Sequence, residues 1–500
     1  MTFLQEAPSI NNTFESDSNL GAHLEKVFSK NHYPEIKAHL KNVGALAAGE
    51  WLDFSRDAER NLPTHVAFDA WGKRIDEIKM APGWRLLENA AAREGIVACA
   101  YERKFGEWSR VYQAALLYLF HPSSAFVSCP LAMTDGAARA IELFGDEELK
   151  SGAFKKLTSR DPSMFWTSGQ WMTERAGGSD VSDTSTIAHK SSNSKWGWNL
   201  NGEKWFTSAT TSQMAMLLAR PSGAEARSRG LSLFYTELRD SQNALQGIEI
   251  LRLKDKLGTK ALPTAELLLK NTPAKLVGGE GGGVKKISAL FNITRVYNSI
   301  CAIGQWRRAL DLAWSYSKLR SAFGKKLIDH PLHLQTLKEL ENDFKKSFDL
   351  VFFVAHLLGK DECNTATEAD RALLRALTPI AKLSTAKKSV AAISEVVESF
   401  GGAGYIEDVG IAKHLRDAQV FSIWEGTTNV LALDFLRSIE KENTAPALLS
   451  FIQERCSKDA TSKLLLEMLQ RGLKEGRAYF EPNARKISLL VAEVVAGGLA

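Results

Sequence analysis

The sequence predicts a mainly α protein with an inserted β-domain: an N-terminal helical domain, a central β-barrel-like or sandwich domain, and a C-terminal four-helix bundle. Three observations lead there. Apolar residues recur at three- and four-residue intervals towards both ends, a central stretch switches to short runs rich in Trp, Thr, Phe and Leu, and the helical period then returns at lengths suited to bundle helices. At 500 residues the chain also exceeds the roughly 250–300 at which one hydrophobic core stops growing, so two or three packed domains are expected.

The first part, about residues 19 to 160, carries its helical spacing most clearly in GWRLLENAAAREGIVACAY and EWSRVYQAALLYLF. Between about 165 and 275 the clearest segment is WGWNLNGEKWFTS, where Asn201-Gly202 separates two strand-like runs and accepts the positive φ angles of a type I′ hairpin turn. From Gly283 the stretch VKKISALFNITRVYNSICAIGQWRRALDLAWSYSKL predicts one helix of about 35 residues, some ~50 Å long. Further helices are expected at 332–359, 366–400 and 428–439, with two or three short amphipathic helices after them. The expected domains are therefore 1–164 (helical), 165–280 (β), 281–440 (four-helix bundle) and a helical tail, 441–500.

Composition narrows the function. Hydrophobic residues at 44% and charged residues at 24% match globular averages and argue against disorder. No apolar run approaches the roughly 20 residues that span a bilayer. MTFLQEAPSI lacks a basic start and an apolar stretch, and Glu6, Glu15 and Asp17 argue against a mitochondrial presequence, so a cytoplasmic location is expected, with no membrane partner. Cys99, Cys129, Cys301, Cys363 and Cys456 are far apart and form no CxxC, and the ten His residues form no HxxxH, so no disulfide frame and no metal site is expected. The net charge of +5 is spread along the chain, enough to steer an anionic substrate but no sign of nucleic-acid binding.

Three glycine-containing segments fall where the helical or strand period breaks. In Gln170-Trp171-Met172-Thr173-Glu174-Arg175-Ala176-Gly177-Gly178-Ser179-Asp180, paired glycines permit close backbone approach, and Thr173 and Ser179 offer hydroxyls to a flavin ring or phosphate; a plain loop entering a β-domain reads the same way. In Phe206-Thr207-Ser208 an aromatic two residues from a hydroxyl shares its strand face, so a ring could stack on a planar cofactor; a core Phe beside a solvated Ser is the alternative. In Ile423-Trp424-Glu425-Gly426-Thr427-Thr428-Asn429 a carboxylate between Trp and Gly is a candidate general base, its apolar neighbours disfavouring the charged form; a helix-capping acid is the alternative.

Taken in order, MTERAGGSDV, NGEKWFTS and SIWEGTTNV resemble the acyl-CoA dehydrogenase superfamily over about residues 60 to 440, together with DKLGTKALPT, the long helix through LRSAFGKKL, and ESFGGAGYIED. FDAWGKRIDEIKMAPGWRLLE, CPLAMT, the WFTS form of the strand and LRSAFGKKLIDHP are most similar to its AidB-like branch, the alkylation-response flavoproteins. The resemblance implies an FAD-dependent oxidoreductase in fatty acid metabolism that oxidises an acyl-CoA thioester, with Glu425 taking the α-proton opposite flavin N5. It implies cofactor contacts from Gln170, Met172, Thr173, Gly178, Ser179, Phe206, Thr207 and Ser208, and from Ile423, Trp424, Gly426, Thr427 and Asn429 around the base. Arg320 and Phe323 match positions that reach the FAD of a neighbouring subunit, and Gly401 and Gly402 match the diphosphate-side turn, so a homo-oligomer, a tetramer in the family's usual form, is implied.

For the substrate the resemblance points to Ser179, Arg295, Glu425 and Gly426. Pro331 and Glu398 depart from the glutamines common in the family, and Asn429 from another. Two other readings follow from the same resemblance. One is an AidB-like flavoprotein that binds nucleic acid or protects against alkylation; residues 441–500, with nine Lys/Arg against seven Asp/Glu, supply little of the clustered charge this needs. The other passes the electrons to oxygen.

Overall fold

A computed structural model describes residues 4–456 and 459–499. It divides into two compact units, Glu50–Glu102 with Ser123–Thr294, and Met1–Gly49 with Arg103–Pro122 and Arg295–Ala500. Helical N-terminal and C-terminal regions flank a central β-domain, as the apolar periodicity predicts.

The first unit holds the β-domain. Its strands are β3 (Ser168–Trp171), β4 (Ile187–Lys190), β5 (Trp198–Ser208), β6 (Met214–Pro221), β7 (Ser232–Glu237), β8 (Ile248–Leu253) and β9 (Thr264–Val277), numbered after a two-stranded hairpin, β1 (Thr64–Phe68) and β2 (Arg74–Lys79). Pairings β6–β7, β7–β9, β9–β5, β5–β4 and β4–β6 close a ring, with β3 added parallel to β6 and β8 antiparallel to β9. Strand alternation explains why this barrel has two apolar sides. Ala215, Leu217 and Ala219 of β6 face the interior with Trp171, Phe234 and Leu267. Met214, Met216 and Leu218 point outward onto the helix Ser128–Phe144 and onto Ile287 and Leu290.

Two local expectations are corrected. The hairpin β1–β2 lies inside the stretch read as helical; THVAF and RIDEIK alternate in a strand period, and Asp76 ties the hairpin to the barrel by accepting from Ile250 N at 3.1 Å. Asn201-Gly202 is not a turn. β5 runs through it with a register shift against β9, long β9 offering partners on both sides of the dipeptide, and Gly202 at φ +153° takes a backbone conformation at that irregularity that L side chains rarely adopt.

The second unit is helical. Ser109–Phe120 is buried on all sides, as a helix apolar around its circumference must be, and its one guanidinium, Arg110, is paired bidentately with Glu362 at 2.7 and 2.8 Å. Gly283–Leu319 is a single helix of 37 residues whose part from Arg295 belongs here. Pro331–Glu362 and Glu368–Ser399 pack side by side, joined by the short connection 363–367. Thr367 and Asp370 form a reciprocal capping box that starts the second of them. Thr428–Lys441 packs on Glu368–Ser399, and the C-terminal helix Arg477–Gly497 packs on both. Among the described residues no helix is long and apolar enough to cross a membrane.

Candidate functional site

In the β-domain, Gln170, Met172, Thr173, Gly178 and Ser179 lie on the chain leaving β3. Trp205 N donates to Thr173 O at 2.9 Å, which pins this loop to β5 just ahead of Phe206. The loop is folded tightly on itself by paired backbone bonds between Glu174 and Gly177. A Cβ at Gly178 would meet Thr173 Oγ1 at 2.8 Å, so the close approach requires glycine there.

What holds the loop is a residue that motif reasoning passed over. The Glu174 carboxylate, 4% exposed, accepts from Lys204 Nζ (2.7 Å), Ser185 N (2.6 Å) and Thr186 Oγ1 (2.5 Å). Burial alone would raise its pKa, but the Lys204 charge and these hydrogen bonds outweigh it and hold the carboxyl at about 2. Lys204, fully buried, gives a second bond to Leu218 O at 2.9 Å. Between Glu203 and Trp205, Lys204 carries no local sequence signal of its burial.

Phe206 sits at φ +55° within a register shift of β5, and its ring is 56% exposed, with Lys254 Nζ 4.7 Å from the ring centre. The bulge breaks the alternation that put Phe206 and Ser208 on one face. Ser208 is buried, its hydroxyl 3.1 Å from Thr264 Oγ1, and Thr207 donates to Ala265 O at 2.7 Å, so both hydroxyls are spent within the sheet.

In the helical unit, Ile423 to Thr427 form the passage from the 3₁₀ turn Gln419–Ser422 into the helix Thr428–Lys441. Glu425 is half-buried at φ +57°, a left-handed conformation rare for a glutamate, and Gly426 follows at φ +106°. The carbonyls of Glu425 and Gly426 are each held by a cation. Arg295 Nε donates to Glu425 O at 3.3 Å, and Lys382 Nζ donates to Gly426 O at 2.6 Å. Arg295 also pairs with Asp434 (2.7 Å), which Arg375 holds from its other oxygen (2.7 Å). Burial works to raise the Asp434 pKa, and the two guanidiniums more than offset it, so the carboxyl lies below its ordinary value. Ile423, Thr427 and Asn429 are exposed and Trp424 is half-buried.

The remaining sequence-derived positions lie in the same unit. Ser321-Ala322 pairs with Lys325-Lys326, leaving Phe323 (φ +50°) and Gly324 (φ +82°) as a two-residue turn that holds the Phe323 ring 99% exposed. Tyr316 stacks on Phe400 at 4.3 Å, so the backbone leading to Arg320 and that leading to Gly401 start from one contact. Gly401 (φ +61°) and Gly402 have nothing within 4 Å of where a Cβ would stand. Pro331 occupies the first turn of its helix and Glu398 is exposed. Among the described residues no cluster of three or more His, Cys, Asp or Glu is placed to hold a metal ion.

Three domain-family models match the chain: the adaptive response protein AidB N-terminal domain over residues 6–162, the acyl-CoA dehydrogenase middle domain over 169–272 and the acyl-CoA dehydrogenase C-terminal domain over 281–440. The chain is similar to acyl-CoA dehydrogenase family member 11 of Caenorhabditis elegans, with 39% identity over 99% of this chain and 85% of that protein. It is similar to the putative acyl-CoA dehydrogenase AidB of Escherichia coli (strain K12), with 30% identity over 82% of this chain and 75% of that one. Among solved structures, Bd2924 in its apo form has a TM-score of 0.97 at 55% identity, covering 100% of this chain and 99% of its own. C. elegans ACDH-11, solved in complex with C11-CoA, has a TM-score of 0.95, covering 99% and 88%.

Proposed function

Because the chain belongs to the acyl-CoA dehydrogenase family, within which it carries the AidB type of N-terminal domain, we propose that it is an FAD-dependent oxidoreductase that desaturates an acyl-CoA thioester with Glu425 as the base. The observation that carries the assignment is the Glu425 turn. A carboxylate presented on a left-handed backbone, with its own and the next carbonyl each tied to a cation, is held in place at a conformational cost that a capping acid would not need.

The residues present fit FAD. The tight Gly178 approach and the exposed Phe206 ring suit a planar ring system, and the open backbone at Gly401 and Gly402 suits a diphosphate. When bound, FAD supplies the acceptor for the hydride that leaves the substrate β-carbon. Glu425 takes the α-proton onto a carboxylate oxygen, and the electron pair of that C–H bond becomes the new C=C bond of a trans-2-enoyl thioester. Thr173, Ser179 and the Phe206 ring orient the cofactor, and Arg295, committed to Asp434 and the Glu425 carbonyl, positions the base. Phe323 and Arg320 reach a neighbouring subunit's cofactor in a homotetramer, and the enzyme serves cytoplasmic fatty acid metabolism. The C11-CoA bound by the worm relative makes undecanoyl-CoA the first substrate to test.

The test is E425Q. The purified variant should stay yellow, with FAD bound, and lose bleaching by undecanoyl-CoA by at least about 10³-fold, a loss in the range expected for removing a general base. Bleaching at the wild-type rate sinks the assignment.

A further inference from the structure

The geometry points to Lys382 as a positioning residue for Glu425: its ammonium fixes the turn that carries the base and supplies the positive charge that favours the ionised carboxylate. This rests on reading Glu425 as the base, but the sequence motifs do not include Lys382, whose ammonium bonds the carbonyl of the residue after the base.

Lys382 lies in the middle of the helix Glu368–Ser399, in a run from Ala376 to Ala386 whose residues are all buried. Lysine at a fully buried position is costly unless its charge is used or neutralised. Here Nζ donates to the Gly426 carbonyl at 2.6 Å. The charges acting on it are Glu425, which favours the ammonium, and Arg295, which opposes it; Asp434 and Arg375 stand one ion pair further on. The two cations at the turn are not equivalent. Arg295 is balanced by Asp434 at 2.7 Å, whereas Lys382 bonds a neutral carbonyl and has Glu425 as the carboxylate acting on it. Its charge is thus directed at the base. Burial, the largest influence, lowers the lysine's pKa to about 7; Glu425 pulls it back up and Arg295 adds to the lowering, so the ammonium is sustained by that carboxylate.

A purely structural lysine would need only to satisfy the carbonyl. The two roles separate in K382M, which keeps the stem and loses the charge, and K382R, which keeps the charge. With FAD content fixed by absorbance, the rate of flavin bleaching by undecanoyl-CoA is followed against pH. Loss of the neighbouring cation raises the pKa of Glu425, so the acid limb of K382M should move up by about one pH unit, and K382R should bring it back towards wild type. A K382M limb coincident with wild type overturns the assignment.

A second measurement does not use turnover. Thermal midpoints of wild type, K382M, E425Q and the double variant form a cycle in which interacting charges make the double variant more stable than the two single losses predict. The coupling should be present near neutral pH and vanish once the glutamate is protonated; additivity at neutral pH overturns the proposal, even if bleaching is normal. If K382M fails to fold, E425Q alone decides: removing the carboxylate should move the lysine's titration, read from the alkaline side of the midpoint-against-pH curve, to lower pH, and an unmoved curve counts against the pairing. Failure of wild type to bleach with any acyl-CoA would remove the base reading while leaving the cycle to judge Lys382.

Discussion

At the residue scale, two buried charges of this protein hold the backbone of candidate-site loops, Glu174 that of the loop after β3 and Lys382 that of the Glu425 turn. Glu174 and Lys204, both buried, neutralise one another and fix the loop that carries Thr173, Gly178 and Ser179. Removing one partner strands the other without water, so K204M should cost about 3–5 kcal/mol by urea unfolding, while K204M combined with E174Q should recover part of it. The pH dependence has a definite sign. Glu174 is held at about 2 in the folded protein and returns to about 4.3 when unfolded, so its contribution is complete above that unfolded value and is lost as pH falls towards 2. E174Q should flatten this part of the midpoint-against-pH curve, and an unchanged slope would refute the assignment. Glycine-flanked motifs made Glu425 and Thr173 visible in the sequence. Lys382 is not, because a lysine reads as surface until the apolar residues around it are given weight, and Lys204, beside Glu203, has no such run to mark it.

At the element scale, the backbone features that matter are those where regular structure is interrupted. The long helices are legible, since periodicity over 30 residues is hard to mistake; Glu368–Ser399 starts where Thr367 and Asp370 cap it. Irregularities are less so. The bulge in β5 that turns the Phe206 ring outward depends on pairing with β9, some 60 residues away in sequence, and local alternation holds no record of it. The two-residue turn at Phe323-Gly324 is set by the pairing of Ser321-Ala322 with Lys325-Lys326, and it makes a separable prediction. Because the ring is 99% exposed, F323A should leave the thermal midpoint of the chain within about 1 °C of wild type. It should nevertheless weaken oligomer mass by light scattering and FAD retention on gel filtration, if the ring serves a neighbouring subunit. An unaltered mass and flavin ratio would confine Phe323 to no role in assembly.

At the scale of the whole molecule, the segment after residue 441 decides between an enzyme with a helical cover and a protein with a basic binding arm. Composition left that open, because nine cations against seven acids can be spread or clustered. The structure buries the apolar side of the last helix, with Ile487, Val491 and Val495 at 0% exposure, against Glu368–Ser399 and Thr428–Lys441, which carry Lys382 and follow Glu425. Arg485 and Lys486 stay in solvent on the other side. A segment that covers the bundle contributes to its stability through transfer of apolar surface, and a charge placed on that side has no partner. V491D should therefore lower the thermal midpoint by about 5 °C or more, and reduce the yield of FAD-bound protein with it. The pair R485Q/K486Q should change neither. The same variants test the nucleic-acid reading, since phosphate binding scales with the number of cations engaged. If R485Q/K486Q abolished a salt-dependent affinity for duplex DNA while V491D left the midpoint untouched, the last helix would be an arm and not a cover.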